Sequence, residues 1–306
     1  MTLITRSIRP TAPPPPQERL DIRFPQRDLK GVPQDDEWCE VVEGDGHVTR
    51  VRFHDYAQVY GIPGLYNQLF GGPGSETRCV SPQVMAGLLR DQLPVVLHRD
   101  EGGSRERHEG GSRPRLRVLD LGAGNGMMGE EVRAVVEDYE EGLLVGSTSI
   151  VGLDILQEAK AAAESERPGV YDAYVAADVT EYVKAPPGDP VEAMLFARGY
   201  NVLTSVSSLA FGDGSVRAFK AVVSLVEEGG LLVFNLKESF FDPVDSESGG
   251  EGAGVSGNEF SGLIKDAVDK EVLSIVARRR YCHRYSVTGE PLYYVAVVAV
   301  KNATLR

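Results

Sequence analysis

The sequence predicts an α/β fold in which helices cover both faces of a mostly parallel β-sheet. Three observations favour this class. Apolar segments of strand length alternate with helical segments, a glycine-rich turn joins one strand to a helix, and two β-rich runs lie near the C-terminus. The last two runs, residues 271–285 and 291–301, flank a Thr-Gly-Glu turn. They predict an antiparallel hairpin, so the final strand is expected to run opposite to the others.

Residues 117–129 predict a buried strand that runs into a glycine-rich turn and then a helix. Glycines at these positions let the backbone approach a ligand closely. Read from Gly124, the turn matches the dinucleotide fingerprint G-x-G-x-x-G, in which a helix N-terminus holds a pyrophosphate. Read from Asp120, it matches D-x-G-x-G-x-G. A carboxylate is unfavourable beside a pyrophosphate but favourable beside an ammonium group. Asp120 therefore favours S-adenosylmethionine over NAD. The turn residues expected to contact this ligand are Gly122, Ala123, Gly124, Asn125 and Gly126.

Two later predicted strands also end in carboxylates. Residues 149–154 end at Asp154, where nucleotide-binding α/β units place an acid that binds ribose hydroxyls. Ile155 follows and is expected to pack against an adenine ring. After a helical segment at 157–166, residues 171–178 end at Asp178, which is placed to accept the adenine amino group. An alternative for Asp178 is a helix N-cap, because Val179 begins a short turn.

These segments resemble the class I S-adenosylmethionine-dependent methyltransferases over residues 51–301. The motifs that carry the resemblance are Asp120-Leu-Gly-Ala-Gly-Asn-Gly126, Gly152-Leu-Asp154, Ala177-Asp178 and Glu228-Gly-Gly-Leu-Leu-Val-Phe234. Within that superfamily the chain is similar to small-molecule methyltransferases, including the methyltransferase-like group of the Williams–Beuren region.

The resemblance implies a Rossmann-like sheet of seven strands, mostly parallel, with a reversed C-terminal strand. It implies S-adenosyl-L-methionine as cofactor and S-adenosyl-L-homocysteine as product. Asp120 and the glycine turn would hold the methionine end, Asp154 the ribose, and Asp178, with Val179 beside it, the adenine. The loop at 137–149 is longer than is usual in the family, which weakens the assignment of Asp154.

The sequence predicts three regions along the chain. Residues 1–36 are rich in proline and are expected to form a mobile extension. Residues 37–98 are expected to form a β-hairpin around a Gly-Asp-Gly turn, followed by a helical cap that includes a helix from 81 to about 97. Residues 115–302 form the predicted cofactor-binding domain. The polar segment 99–114 is expected to be a loop away from the chemistry.

Two tyrosines of the predicted cap are candidate cofactor contacts. Tyr56 and Tyr60 are four residues apart, which places them on one face of a helix. This segment resembles the N-terminal element that covers the cofactor in many small-molecule methyltransferases. The alternative is that both tyrosines are packing residues.

The acceptor side is predicted from the ends of later strands, because ligands of open α/β sheets lie beyond the carboxyl ends of the strands. A fourth strand at 191–197 would deliver Arg198 to the cofactor and Tyr200 and Asn201 to the acceptor. A fifth strand at 229–235 would deliver Glu238. The glycine- and serine-rich segment 245–257 is expected to be either a plain loop or a lid over the substrate.

The general base stays unassigned. His54, Glu238 and His283 are candidates, because a hydroxyl acceptor benefits from a base within hydrogen-bond reach. A lone histidine is more often a packed or surface residue, and an amine acceptor needs only to be neutral when it attacks.

Charge and composition narrow the choice of partners. A net charge of −13 and a pI near 4.9 disfavour nucleic acid as a substrate. The basic triplet at 278–280 is expected to be a solvated strand face. The three cysteines lack the spacing of a metal site and are expected to be reduced thiols of a cytoplasmic protein. No apolar run is long enough to predict a membrane span.

Three functions are consistent with these patterns. The first is a methyltransferase that transfers a methyl group to a nitrogen or oxygen of a small-molecule acceptor by in-line displacement. The second is a non-catalytic or regulatory module that binds S-adenosylmethionine. The third is an NAD-dependent oxidoreductase. The acceptor and the oligomeric state are not predicted from the sequence.

Overall fold

The computed structural model describes residues 19–72, 74–75, 77–97, 116–139, 144, 146–182, 199–209, 214–241 and 255–304. Its strands form two sheets. The small antiparallel sheet contains β1 (Asp21–Arg23), β2 (Trp38–Val42) and β3 (Val48–Arg52). The large sheet contains β4 (Leu116–Leu121), β5 (Thr148–Asp154), β6 (Ala173–Ala176), β7 (Tyr200–Ser205), β8 (Val226–Lys237), β9 (Leu273–Tyr285) and β10 (Pro291–Lys301).

The large sheet has the strand order β6-β5-β4-β7-β8-β10-β9. Strand β4 pairs in parallel with β5 and β7, β5 pairs in parallel with β6, and β7 pairs in parallel with β8. Among the described strands of this sheet only β10 is reversed, because it pairs antiparallel with both β8 and β9. The predicted fold class, including the reversed C-terminal strand, is therefore confirmed. Strands β5 and β6 extend the sheet on one side of β4, and the chain then crosses over to place β7 on the other side of β4. This reversal of strand order creates a crevice at the carboxyl ends of β4 and β7.

Helices cover both faces of this sheet. They are α1 (Tyr56–Gly61), α2 (Ser81–Leu97), α3 (Met127–Asp138), α4 (Gln157–Glu166), α5 (Val179–Tyr182), α6 (Gly214–Ser224), α7 (Glu238–Phe241) and α8 (Val255–Asp269). One core joins Leu119 of β4 to Phe219 of α6 and Phe260 of α8. The opposite core joins Val118 to Leu89 of α2 and to residues of α3. Neighbouring residues of one strand thus enter opposite cores, which explains the continuously apolar strands.

The N-terminal sheet has a core of its own and packs against the β9–β10 hairpin. Glu37 anchors it there: the fully buried carboxylate pairs with the Arg284 guanidinium and accepts a 2.6 Å hydrogen bond from the Val287 amide. The side chain of Arg284 is 3% exposed. Both charges are therefore compensated inside the protein.

The predicted boundary at residue 36 is wrong for its last part. Strand β1 pairs with residues 40–42 of β2, and a short 3-10 helix covers Gln34–Asp36. Leu20, Ile22 and Phe24 pack against the N-terminal core. A strand of three residues carries too little periodicity to be recognised alone and becomes visible only through its pairing with β2. Residues 1–18 lie outside the described residues, as do the predicted loop at 99–114 and positions 245–254 of the predicted lid. The last three residues of that segment, 255–257, begin α8.

Candidate cofactor site

A cavity of about 350 Å³ lies beyond the carboxyl ends of the central strands, between the large sheet and the N-terminal cap. Its size falls within the range of small-molecule sites, and its position is the crevice where open α/β sheets bind ligands. The lining residues come from the cap and from the ends of β4, β5, β6 and β7, together with α6. They are Tyr56, Tyr60, Tyr66, Leu121, Gly122, residues 153–156, 177–180 and 206–209, Arg217 and Ala218.

The glycine turn follows β4 and precedes α3. Gly122, Gly124 and Gly126 all have positive φ angles, of 68°, 52° and 92°, which explains the need for glycine. A Cβ at Gly122 would lie 2.1 Å from the Ser208 side chain, and one at Gly124 would lie 2.4 Å from the Tyr60 hydroxyl. Side chains of the protein itself therefore pack against this turn. Of the turn residues predicted to contact the ligand, only Gly122 lines the cavity.

Asp120 does not line the cavity, contrary to the expectation that its carboxylate faces the ligand. It is 1% exposed, and its two oxygens accept 2.6 Å hydrogen bonds from the Thr204 and Tyr171 hydroxyls. Tyr171 also contacts the Ala123 carbonyl, at 3.3 Å. Burial raises the pKa of Asp120 to about 6. Both hydroxyl partners are distant in sequence, so the pattern around Asp120 did not reveal them. Asp120 supports the turn from inside the protein.

Asp154 and Ile155 line the cavity at the end of β5, as predicted from their position. One Asp154 oxygen accepts from the Gly124 amide at 2.9 Å, and the other accepts from the Leu156 amide at 3.1 Å. Burial raises the pKa of this carboxyl group. Ile155 is 65% exposed and presents an apolar surface at the cavity. The carboxylate of Asp154, the backbone of Gly122 and the side chain of Ile155 thus form one wall of the cavity.

Asp178 lines the cavity one strand further out, together with the buried Val179. One oxygen of Asp178 accepts from the Thr180 amide at 2.8 Å and from the Thr180 hydroxyl at 2.7 Å. This is the helix-capping arrangement considered as an alternative for Asp178. Capping and ligand contact are compatible, because a carboxylate has about four acceptor positions.

Three tyrosines of the cap form the wall opposite the sheet. Asp55 caps α1 by accepting from the Gln58 amide, and this places Tyr56 and Tyr60 at the cavity. The Tyr60 ring stacks on Tyr66 with a centroid distance of 4.8 Å and on Tyr56 with a distance of 6.1 Å. Tyr66 was not predicted as a site residue, although it belongs to the same aromatic segment. Burial raises the pKa of all three phenols, so they are neutral.

A buried carboxylate at the end of α4 joins the cap to the glycine turn. Glu166 accepts hydrogen bonds from the Gly64 amide at 3.1 Å, from Asn67 Nδ2 at 2.8 Å and from Asn125 Nδ2 at 2.6 Å. The guanidinium of Arg167 lies 3.6 Å from the same carboxylate. Asn125 was predicted to contact the cofactor. The structure places its side chain in this junction instead, where it is 1% exposed.

The prediction that Tyr200 and Asn201 face the acceptor is wrong. They are the first residues of β7 and do not follow a strand. They therefore lie at the amino end of this central strand, whereas the cavity lies at the carboxyl ends of the strands. Tyr200 pairs with the first residue of β8, and Asn201 accepts from the Arg117 amide near the start of β4. Arg198 and the predicted strand at 191–197 lie outside the described residues. The segment 191–197 is more apolar than β7. Residues 200 and 201 were therefore predicted to follow a strand, whereas they are the first residues of one.

The residues that do follow β7 at the cavity are 206–209, including Ser207 and Ser208. Sequence reasoning missed them. The available signal was the β-branched segment before them, because Val202 and Thr204 have high strand propensity.

None of the three candidate bases lines the cavity. Glu238 forms an ion pair with Arg280 on the edge strand β9. His283 is 5% exposed, lies 2.6 Å from the Ser81 hydroxyl, and has a pKa well below its usual value because of burial. Burial, reinforced by the positive charge of Arg284, lowers the pKa of His54 to about 4. Both imidazoles are therefore neutral at pH 7.

The described residues also bear on other predicted features. Arg278, Arg279 and Arg280 are exposed on the edge strand β9, as expected for a solvated strand face. Among the described residues, no cluster of three or more potential metal ligands is present. No described helix combines the length and apolar character that crossing a bilayer requires.

No protein-family model matches the sequence, and no curated protein matches it. Solved structures with similar folds include the O-methyltransferase TomG from Streptomyces achromogenes, in complex with S-adenosylmethionine. It is 11% identical, with a TM-score of 0.45, and the match covers 83% of this chain and 92% of that one. The magnesium protoporphyrin IX methyltransferase from Synechocystis PCC 6803 is 13% identical, with a TM-score of 0.43 and coverages of 80% and 97%.

A proposed RNA methyltransferase from Pyrococcus horikoshii is also similar, at 11% identity, with a TM-score of 0.45 and coverages of 81% and 98%. The strand order and the single reversed strand define the fold independently of these likenesses. The chain therefore has the Rossmann-like, seven-stranded, mostly parallel fold that its motifs imply.

Proposed function

We propose that the protein is an S-adenosylmethionine-dependent methyltransferase that acts on a nitrogen or oxygen nucleophile of a small molecule. The observation that carries this proposal is the order of groups along the cavity. Asp178 and Ile155 offer a polar and an apolar contact for adenine, Asp154 offers acceptors for ribose hydroxyls, and Gly122 brings the backbone of the glycine turn to the cavity wall beside them. This order matches the base and the ribose of a nucleoside, with the glycine turn beside the ribose position.

The residues present fit this cofactor. Carboxylate oxygens such as those of Asp154 and Asp178 bind hydroxyl and amino donors, and a tyrosine wall excludes water from the opposite side. When bound, S-adenosylmethionine supplies an electrophilic methyl group on a sulfonium. Positioning of the acceptor in line with that methyl group contributes up to about 7–11 kcal/mol of the barrier. The role of the chain is then to hold and to orient.

The cavity also narrows the acceptor. The described lining residues include no histidine, lysine or cysteine, so they supply no proton acceptor with a usual pKa near 7. This favours an acceptor that needs little base assistance, such as a neutral amine. The net charge of −13 and the cap over the cavity favour a small molecule over nucleic acid.

The unpaired cysteines support a reducing compartment such as the cytoplasm. Cys39, Cys79 and Cys282 are all free thiols, and the first two are buried. Proteins of oxidising compartments more often pair such residues.

A non-catalytic module that binds the same cofactor is the second candidate. It is favoured by the packing of Tyr60 against Gly124, which restricts space over the glycine turn. Transfer of a labelled methyl group from S-adenosylmethionine to any member of an amine library, lost in Asp154→Asn, would exclude it.

Calorimetry with S-adenosylmethionine, S-adenosylhomocysteine and NADH tests the proposal. We expect the first two to bind and NADH not to bind. Asp154→Asn and Asp178→Ala should each weaken both by about 10- to 100-fold, as expected for one lost charge-assisted hydrogen bond. Asp138→Asn is the control, because the Asp138 side chain is 68% exposed and distant from the cavity. Absence of binding by either adenosyl ligand would contradict the proposal, and tight NADH binding would favour the oxidoreductase.

A further inference from the structure

Ser207 has a backbone conformation that a residue with a side chain rarely adopts. Its φ is 58°, in the left-handed region, and Glu271, with φ 56°, is the other non-glycine residue of this kind in the described part of the chain. Such conformations are unfavourable for residues with a Cβ and persist only where the surroundings impose them. Ser207 also lines the cavity, whereas Glu271 lies in the turn before β9. The two positions therefore differ in location but not in strain.

A buried amide imposes this conformation on Ser207. Asn235 in β8 is 1% exposed, and its Oδ1 accepts a 2.6 Å hydrogen bond from the Ser207 amide. Its Nδ2 donates to the Tyr281 hydroxyl at 2.6 Å and to the Ser81 hydroxyl at 3.2 Å. An amide inside an apolar strand is costly unless its hydrogen bonds are made. Asn235 thus holds the segment after β7 against the end of β8.

The strand order places Ser207 at a defined point of the cavity. The lining segments follow β6, β5, β4 and β7, which are neighbours in that order. Neighbouring strands are about 4.8 Å apart, so the cavity spans roughly 14 Å from the segment after β6 to the segment after β7. If adenine lies at Asp178 and ribose at Asp154, the sulfur end of the cofactor lies near Gly122 and Ser207. The strained residue is therefore at the end where the methyl group is transferred.

We propose that Ser207, held by Asn235, is a positioning residue that distinguishes the methylated sulfonium from the neutral thioether left after transfer. The inference rests on the proposed function. Its physical basis is that Asn235 holds the serine by accepting from its amide at 2.6 Å and by donating to its hydroxyl oxygen at 3.4 Å. Partial negative charge on an oxygen held beside a sulfonium favours the positive form of the ligand. The neutral thioether of S-adenosylhomocysteine gains no such electrostatic attraction.

The ratio of the dissociation constants of S-adenosylmethionine and S-adenosylhomocysteine tests this role without knowledge of the acceptor. The variants are Ser207→Gly and Asn235→Ala, measured by calorimetry beside thermal unfolding. Glycine relieves the strain at position 207 but frees the segment. We expect Ser207→Gly to unfold at no lower temperature than the wild type. It should weaken the binding of S-adenosylmethionine relative to that of S-adenosylhomocysteine at least about threefold, equivalent to ~0.65 kcal/mol. Asn235→Ala should shift the ratio in the same direction.

Glu271→Gly is the matched control, because it relieves the same strain away from the cavity and should leave the ratio unchanged. Asp178→Ala is a second control, because it should weaken both ligands equally. An unchanged ratio in Ser207→Gly and Asn235→Ala, with both ligands bound, would overturn this inference and leave the proposed function standing. A wild-type protein that binds neither ligand would overturn both.

Discussion

The junction at Glu166 offers a direct test of how the N-terminal cap is held on the cofactor-binding domain. The perturbation is Glu166→Gln, which keeps the shape of the side chain and replaces one oxygen by an amide group. In the protein the carboxylate accepts from the Gly64 amide, from Asn67 and from Asn125, and its side chain is only 4% exposed. All three partners are donors, so the new amide group must face at least one of them.

The magnitude follows from counting these contacts. In the less damaging orientation the glutamine oxygen keeps both asparagine contacts, and its amide group faces the Gly64 amide. One hydrogen bond to a charged acceptor is then lost, which costs about 1.5–3 kcal/mol, and the two others weaken because the acceptor is neutral. Loss of the charge beside Arg167 adds to this. We expect the free energy of unfolding to fall by about 2–4 kcal/mol.

Urea unfolding followed by circular dichroism measures this change. The control is Glu164→Gln on the same helix, because the Glu164 side chain is 65% exposed and lies 4.0 Å from Lys160. Exposed pairs of this kind contribute about 0.3–0.5 kcal/mol. If Glu166→Gln changes the free energy of unfolding by no more than Glu164→Gln does, the buried junction does not hold the cap, and the reasoning is refuted.

Three further predictions concern stability. Because the pKa of Asp120 is raised from 3.8 to about 6 in the folded protein, the unfolded chain loses this proton first, so stability falls by about 3 kcal/mol as the pH rises from about 4 to about 6. Asp120→Asn should remove that contribution. If the free energy of unfolding, measured with urea, changes with pH between about 4 and about 6 in Asp120→Asn as it does in the wild type, the prediction is contradicted. Glu37→Ala should cost about 3–5 kcal/mol, because it leaves the charge of Arg284 buried and unpaired, whereas the double variant with Arg284→Met should recover much of the loss. Gly129→Ala should lower the free energy of urea unfolding by about 1–3 kcal/mol, because its Cβ would lie 2.7 Å from the Tyr171 ring. Gly87→Ala has open space around it and should raise the free energy of unfolding by up to about 1 kcal/mol in the same measurement.

Much of the fold was predictable because its signals are local. The helices at 81–97 and 157–166 have the bounds expected from their apolar periodicity and flanking residues. The second N-terminal hairpin strand and the last strand also lie where alternation placed them. These features depend on neighbours a few residues away, and such neighbours are visible in a single sequence.

The site was less predictable because its contacts join distant segments. The assignment of Tyr200 and Asn201 failed because they were predicted to follow a strand and in fact begin one. Such a shift moves a residue from the carboxyl ends of the strands to the amino ends. The environment of Asp120 depends on Thr204 and Tyr171, which lie 84 and 51 positions away. No local pattern encodes such a pairing.

The sequence by itself determined the class of fold, the glycine turn and the acids at the ends of three strands, because strand propensity, glycine conformation and strand polarity are local properties. The tertiary structure alone decided which of those acids reach the cavity. Asp154 and Asp178 line it, whereas Asp120 is closed off by hydroxyl groups from elsewhere in the chain. It also brought Ser207 and the cap tyrosines to the site. The physical reason is that burial and hydrogen-bond partners depend on the packing of segments far apart in sequence.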